Sequence, residues 1–247
     1  MRANCPSQRK RMSSVEISPR RRIRGRGVAV VGDDIDTDRI LPARFATTLT
    51  FEGLEKHAFA DDRRQCARSG TVHPFDDSRY AGAEILLVGR NFGCGSAREH
   101  APQALIRSGI RAVVAISAAG AFRENCTALG VPVVTADAQV MATLTAAILR
   151  SPVAELTVDL EERCIAVSDD ASFAVDIPDR QRSRLMAGRW DTLVELSEAV
   201  DKIRLVAEQL PYRVQTFVRD GKDDSAPPVV RREVPRSALQ RHEDSGV

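Results

Sequence analysis

One short segment of this 247-residue chain concentrates groups able to do chemistry: residues 89–100, GRNFGCGSAREH. An apolar run precedes it and residues at helical spacing follow it. It therefore reads as the turn between the carboxyl end of a buried strand and a helix. In open α/β sheets, ligands bind in the crevice at that end of the strands. Gly93 and Gly95 let the backbone bend and bring its N–H groups close to a ligand. The helix N-terminus adds partial positive charge, and Arg98 adds a planar fork for a carboxylate or phosphate. Ser96 has two readings. It is either a reacting hydroxyl or the helix N-cap, with Glu99 three residues on as in a capping box, and spacing alone ranks the cap first. Arg98 reads equally as an anion binder or a surface helix residue. Cys94, between two glycines, reads as a small buried residue rather than a nucleophile. His100 reads as a structural helical residue.

Three common motifs fail on this segment. Arg98 stands where a dinucleotide fingerprint needs its third Gly. A nucleophile elbow centred on Ser96 needs Gly at 94 and 98, which are Cys and Arg. The Gly-Lys-Ser/Thr of a phosphate-binding loop is absent. An anion-binding strand–turn–helix remains, without a cofactor fingerprint. A second candidate is Asp33-Asp34-Ile35-Asp36-Thr37-Asp38, with four acids in six residues. It lacks the Gly and distal Glu of a calcium-binding loop. Asp33 and Asp34 read as a solvated turn with Asx hydrogen bonds, whereas Asp38, at the far end, is placed to orient an active-site group. His57 and His73 are isolated and read as core or surface residues.

The elements that must position these residues follow from apolar runs and periodicity. Strands are expected at 28–31, 84–88, 112–116 and 131–134. Helices are expected from 97 onward, over 118–129 closed by Gly130, and over 137–150 closed by Pro152. That alternation indicates a largely parallel sheet with covering helices. Three alternating segments near 155–160, 163–168 and 172–177 read as an appended antiparallel β-meander. Residues 50–62 have loose helical spacing with Thr50 as a possible N-cap, 63–80 read as a polar loop, and a last helix is expected over 190–208.

Composition narrows the function classes. Hydrophobic residues make up 43% and aromatics 4%, which calls for a core of Ala, Val, Leu and Ile. It also excludes a stacking-based single-strand nucleic-acid binder. No apolar run reaches the ~18 residues of a membrane span. The five cysteines, at 5, 66, 94, 126 and 164, include no CxxC pair, which fits neither a disulfide framework nor a zinc site and suits a reducing cytoplasm. The formal net charge of +2 is uneven, because the first 27 residues hold nine basic groups and only Glu16 as an acid. Residues 1–26 are expected to be a disordered basic arm, 27–212 the folded domain and 213–247 a disordered tail. The arm lacks the apolar core of a secretory signal, and its Arg/Ser-rich start faintly resembles an organelle transit peptide.

Taken together, Asp36-Thr37-Asp38-Arg39-Ile40-Leu41-Pro42 and Asn91-Phe92-Gly93-Cys94-Gly95-Ser96-Ala97-Arg98-Glu99-His100-Ala101-Pro102 resemble the family of 3-isopropylmalate dehydratase small subunits, the swivel domain of the aconitase superfamily. The resemblance spans roughly residues 27–212, and the second motif is highly specific. It implies a flattened β/β/α fold and an enzyme of two chains. A separate large subunit would carry a 4Fe-4S cluster with one iron open to substrate, so no cofactor is expected on this chain. Ser96 occupies the place of the base that removes a proton from carbon, and Arg98 that of the carboxylate binder. By the same resemblance Gly95, Ala97, Phe45 and Thr47 face the substrate, a small dicarboxylic hydroxy acid, with Asp38, Glu99 and His100 in support. The chemistry is consistent with this, since a Ser hydroxyl acts as a base only where N–H dipoles and positive charge hold its alkoxide.

Two positions depart from the family pattern. Ala97 replaces a second Ser, and Phe45-Ala46-Thr47-Thr48 stands where an aromatic-Leu-Arg run is usual, with Arg44 preceding the aromatic. Both bear on the substrate's side chain and one carboxylate. The alternatives are therefore a homoaconitase-like or other malate-type diacid hydratase subunit, or a degenerate non-catalytic paralogue. From other classes, a nucleotide-binding module would use the same turn, and an RNA-binding protein would use the basic arm. No membrane partner is expected.

Overall fold

The first strand, β1 (Arg22–Val30), joins the parallel and the antiparallel halves of one seven-stranded sheet. The computed structural model describes residues 18–47, 50–168 and 171–210. Most of the expected basic arm and the whole tail from 213 lie outside the described residues. The expected boundary at residue 27 is corrected, because residues 22–26 form the first half of β1. Their alternating pattern RIRGR buries Ile23 and Gly25 and exposes Arg22 and Arg24, which is the period of a half-buried strand. Arg22 pairs with Asp159, and Arg24 with Glu155. The positive charge that suggested a solvated arm is met by acids on the neighbouring strand.

The remaining elements follow in chain order: α1 (Thr37–Ile40), α2 (Ala60–Arg68), β2 (Ile85–Val88), α3 (His100–Arg107), β3 (Ala112–Ala115), α4 (Gly120–Ala128), β4 (Val133–Thr135), α5 (Ala138–Arg150), β5 (Glu155–Asp159), β6 (Cys164–Val167), β7 (Ala171–Ala174), α6 (Asp179–Ala187), α7 (Thr192–Glu198) and α8 (Val200–Gln209). The strand order is β4-β3-β2-β1-β5-β6-β7. The pairs β4·β3, β3·β2 and β2·β1 are parallel, and β1·β5, β5·β6 and β6·β7 are antiparallel. This is the expected α/β fold, a parallel sheet with an appended antiparallel meander.

The runs ILLV in β2 and AVVA in β3 are wholly buried. At about 1.5–3 kcal/mol for each fully buried Val, Leu or Ile, such runs anchor the sheet. Gly27 lies where β1 passes from antiparallel pairing with β5 to parallel pairing with β2. A Cβ there would overlap Ile148 of α5 and stand 2.9 Å from Leu156 of β5, so glycine is what lets α5 lie directly on the strand.

Several expected boundaries are corrected. Residues 54–57 form a 3-10 turn and α2 runs over 60–68, where helix and then loop were expected. Helix α2 buries no residue and therefore has no apolar stripe to read. Arg39–Asp62, Arg44–Asp61 and Arg63–Asp76 ion pairs tie it down instead. Helix α6 is also polar, burying only Gln181 and Leu185, and was not foreseen. The expected helix over 190–208 is two helices that part at Ala199. The chain divides into two units, 1–192 and 193–247. In the second, α8 exposes Val200, Ile203, Leu205 and Val206.

The topology already brings the two candidate segments together. β1 and β2 are parallel neighbours in register, Val30 beside Val88. The loops that leave their carboxyl ends, carrying Asp33–Asp38 and residues 89–100, therefore emerge side by side.

Candidate active site

The two loops zip together beyond the strand ends. The N–H of Asp34 donates to the Arg90 carbonyl at 2.9 Å, that of Gly93 to Ile35 at 2.8 Å, and that of Thr37 to Cys94 at 2.9 Å. Three of the four acids build this frame. Asp33 accepts from the Arg90 N–H at 2.7 Å and Asp34 from the Asn91 amide at 2.8 Å. These are ties between loops, not the expected local turn. Asp36 caps α1 by accepting from the Arg39 N–H at 2.7 Å. Gly93 adopts φ +72° against the Phe122 ring, where a Cβ would clash, so no other residue fits without displacing the core.

The structure overturns the capping reading of Ser96. Helix α3 starts at His100 with Glu99 at its N-cap position, and no side chain bonds to the cap. The Glu99 carboxylate instead accepts from the Gln103 side chain at 2.7 Å. Gly95, at φ +95°, helps to keep the chain out of the helix, and Ser96 stands free upstream of it.

The freed Ser96 hydroxyl joins a cluster. It lies 2.9 Å from the Thr37 hydroxyl and accepts from Arg98 Nε–H at 3.1 Å. The Ser96 N–H donates to Thr37 Oγ1 at 3.1 Å. Arg98 reaches Asp38 through Nη2 at 3.5 Å, with the two side chains 45% and 56% exposed. A pair so long and so solvated holds its partners weakly. No partner of Arg98 Nη1 occurs among the described residues, so part of the guanidinium remains open to an anion. Asn125 of α4 donates to the Ala97 carbonyl at 2.9 Å and steadies the turn from its other side.

Thr37 and Asn125 are the residues that sequence reasoning missed. Thr37 stood inside a quoted motif, and its signal was a hydroxyl flanked by two acids. Asn125 had no signal, because its partner lies 28 residues away. The structure brings Ser96, Arg98 and Asp38 together, with Gly95 and Ala97 in the same turn. Glu99 and His100 face another way. Glu99, Gln103 and Arg107 form a ladder that ends with Arg107 donating to the Phe51 carbonyl at 2.7 Å. The His100 ring meets Phe51 edge-on at 5.1 Å.

Phe45 and Thr47 lie on a separate loop. The Phe45 ring stacks on His57 at 3.8 Å, beneath the Arg44 guanidinium at 4.6 Å. Thr47 donates to the Arg44 carbonyl at 3.4 Å. His73 is a core residue whose Nδ1 accepts from the Phe75 N–H at 3.2 Å. Burial pushes its pKa down.

Two clefts of about 440 and 430 Å³ exist elsewhere, and neither is lined by Ser96, Arg98 or Asp38. Ser96 is half-buried, between exposed Gly95 and exposed Ala97 and Arg98. Among the described residues no group of three His, Cys, Asp or Glu side chains is placed to hold a metal ion. Cys126 is sealed in the core, where burial pushes its thiol pKa up. The donor set of an iron–sulfur cluster is therefore not assembled from the described residues. No helix among them is long and apolar enough to cross a membrane.

The family model for the aconitase C-terminal domain matches residues 22–138. The 3-isopropylmalate dehydratase small subunit of Synechocystis sp. is 48% identical over 192 residues, which is 78% of this chain and 94% of that protein. The protein of the same name from Thermus thermophilus is 41% identical over 194 residues, 78% of this chain and 96% of that one. The crystal structure of 3-isopropylmalate dehydratase (leuD) from Methanocaldococcus jannaschii is similar at TM-score 0.54 and 25% identity, covering 76% of this chain and 98% of that chain. With near-complete coverage of relatives at this identity, the chain belongs to the family of 3-isopropylmalate dehydratase small subunits.

Proposed function

We propose that this chain acts with a large subunit as a hydro-lyase that interconverts 2- and 3-isopropylmalate through 2-isopropylmaleate, in cytoplasmic leucine biosynthesis. Ser96 is the base and Arg98 binds a substrate carboxylate. The observation that carries this reading is the Ser96 hydroxyl itself, which caps no helix and accepts from Arg98 Nε–H.

A free Ser hydroxyl is too weak an acid to supply a base near neutral pH. Donors and positive charge aimed at its oxygen stabilise the alkoxide and lower that barrier. In the forward direction Ser96 Oγ takes the proton from the substrate carbon. The C–H electron pair becomes the alkene bond, and hydroxide leaves the neighbouring carbon. In the rehydration that follows, the hydroxyl adds to the carbon that lost its proton, and a proton goes to the carbon that lost its hydroxyl. Arg98, with its Nη1 open, holds the carboxylate that fixes which carbon faces Ser96. The 4Fe-4S cluster, which this reading assigns to the large subunit, supplies a Lewis acid for the departing hydroxyl. Because the residues beside Ser96, Gly95, Ala97 and Arg98, are exposed, this reading also has the large subunit cover them and exclude water.

Reconstitution tests the reading. The purified chain is combined with the cluster-loaded large subunit of the same organism and assayed for alkene formation from 2- and 3-isopropylmalate, homocitrate and citrate. Turnover of isopropylmalate that requires both chains is expected. Turnover of homocitrate or citrate alone would move the substrate to another diacid. A stable complex inert toward every acid would mark a non-catalytic paralogue.

A further inference from the structure

We infer that Thr37 is a positioning residue that sets the proton on Ser96, an assignment that rests on the reading of Ser96 as the base. A hydroxyl has one proton to donate and two lone pairs to accept with. Thr37 Oγ1 already accepts the Ser96 N–H at 3.1 Å, and the two hydroxyl oxygens are 2.9 Å apart. Thr37 is 4% exposed. Its hydroxyl has no acceptor other than Ser96 Oγ among the described residues.

If Ser96 donated to Thr37, the Thr37 proton would be buried without a partner, a costly arrangement. Thr37 therefore donates and Ser96 accepts. Ser96 Oγ then receives two donors, the Thr37 O–H and the Arg98 Nε–H. Its own proton is turned away from both.

This arrangement suits an alkoxide without rearrangement. When Ser96 loses its proton, both donors already point at the oxygen that carries the charge. Thr37 does this from a buried position at the start of α1, at the end of the loop after β1, while Ser96 sits on the loop after β2. The parallel pairing of the two strands, Val30 beside Val88, is what delivers the donor to the base. Thr37 touches no reacting atom. It acts through Ser96, so its removal should be felt in turnover rather than in substrate affinity.

The test uses the reconstituted two-chain enzyme with Thr37→Val, Thr37→Ser and Ser96→Ala. Thr37→Val keeps the shape and removes the donor, and Thr37→Ser keeps the donor and removes a methyl group. The expected result is a kcat about 10²-fold lower for Thr37→Val, as for loss of one preorganised donor. Its KM should stay within about threefold, and Thr37→Ser should be close to wild type. Thr37→Ala, expected to lose turnover in the same way, serves where the valine variant does not assemble. Wild-type kcat in Thr37→Val beside an inactive Ser96→Ala would overturn the role of Thr37 and leave Ser96 as the base. An inactive Thr37→Ser beside an active Thr37→Val would show a packing role and overturn the inference. Full turnover in Ser96→Ala would overturn the reading on which the inference rests.

Discussion

Arg44 and Arg98 are equally exposed, each with 45% of its side chain open to solvent, and they differ in what holds them. Arg44 grips Asp61 through both terminal nitrogens, at 2.9 and 2.6 Å, and lies over the Phe45 ring. Its hydrogen bond holds the Asp61 carboxyl below the usual carboxylate range. Arg98 spends Nε on Ser96 and reaches Asp38 only at 3.5 Å. A guanidinium already engaged by a two-pronged carboxylate has little left for a ligand, whereas one with a long pair and an open nitrogen has much. The difference separates a structural arginine from one available to a substrate, where exposure alone does not. On this ground we propose that Arg44, held by Asp61, does not replace the arginine that the family pattern places after the aromatic residue.

Substitutions sharpen this contrast. Arg98→Lys should have the largest effect, raising KM for isopropylmalate about 10- to 100-fold in steady-state assays and also lowering kcat, because Lys offers a point charge in place of a fork and lacks the Nε–H that Ser96 accepts. Asp159→Asn probes a third arginine, Arg22, whose Nε and Nη2 both donate to one Asp159 oxygen. Burial pushes the Asp159 carboxyl up, but the Glu162 N–H, the Arg22 guanidinium and the Glu161 N–H together hold it below its usual value. A carboxyl lowered on folding adds stability above its unfolded pKa of about 3.9, and that stability is lost as pH falls through the folded value. Thermal melts should therefore show Asp159→Asn less stable than wild type at pH 7, with the gap closing below about pH 3.9 and turnover in the complex unchanged. Arg44→Ala should have the smallest effect, with KM within about threefold, since its exposed pair contributes little. A KM rise as large as that of Arg98→Lys would break the comparison and return Arg44 to the site.

The legible parts of the molecule were those written in apolar periodicity. Strands β2, β3 and β4 and helix α5 stand close to their expected places because their buried residues recur at strand or helix spacing. The pairing of the two loops was legible only through a family motif. The contacts that build the site, such as Thr37 to Ser96 across 59 residues, are long-range and leave no local pattern. Spacing alone makes Ser96 a cap because Ser-x-x-Glu is a real capping signal. Three-dimensional structure overrides it here, since Gly93 and Gly95 carry the chain past the helix start at positive φ. Helices α2 and α6 were illegible for the opposite reason, being held largely by charge rather than by an apolar stripe. The same bias hid residues 22–26, where arginines facing Asp159 and Glu155 were read as a solvated arm.

The central claim is that Ser96 removes the carbon-bound proton, and hydrogen exchange measures that step directly. The reconstituted enzyme would be incubated with isopropylmalate in deuterium oxide and followed by mass spectrometry, wild type beside Ser96→Ala. The account predicts that wild type incorporates solvent deuterium at carbon. Ser96→Ala should still bind the large subunit and the substrate, with exchange slowed about 10³-fold or more, the scale of a lost general base. Exchange at the wild-type rate in Ser96→Ala would contradict the claim and assign the base to another group.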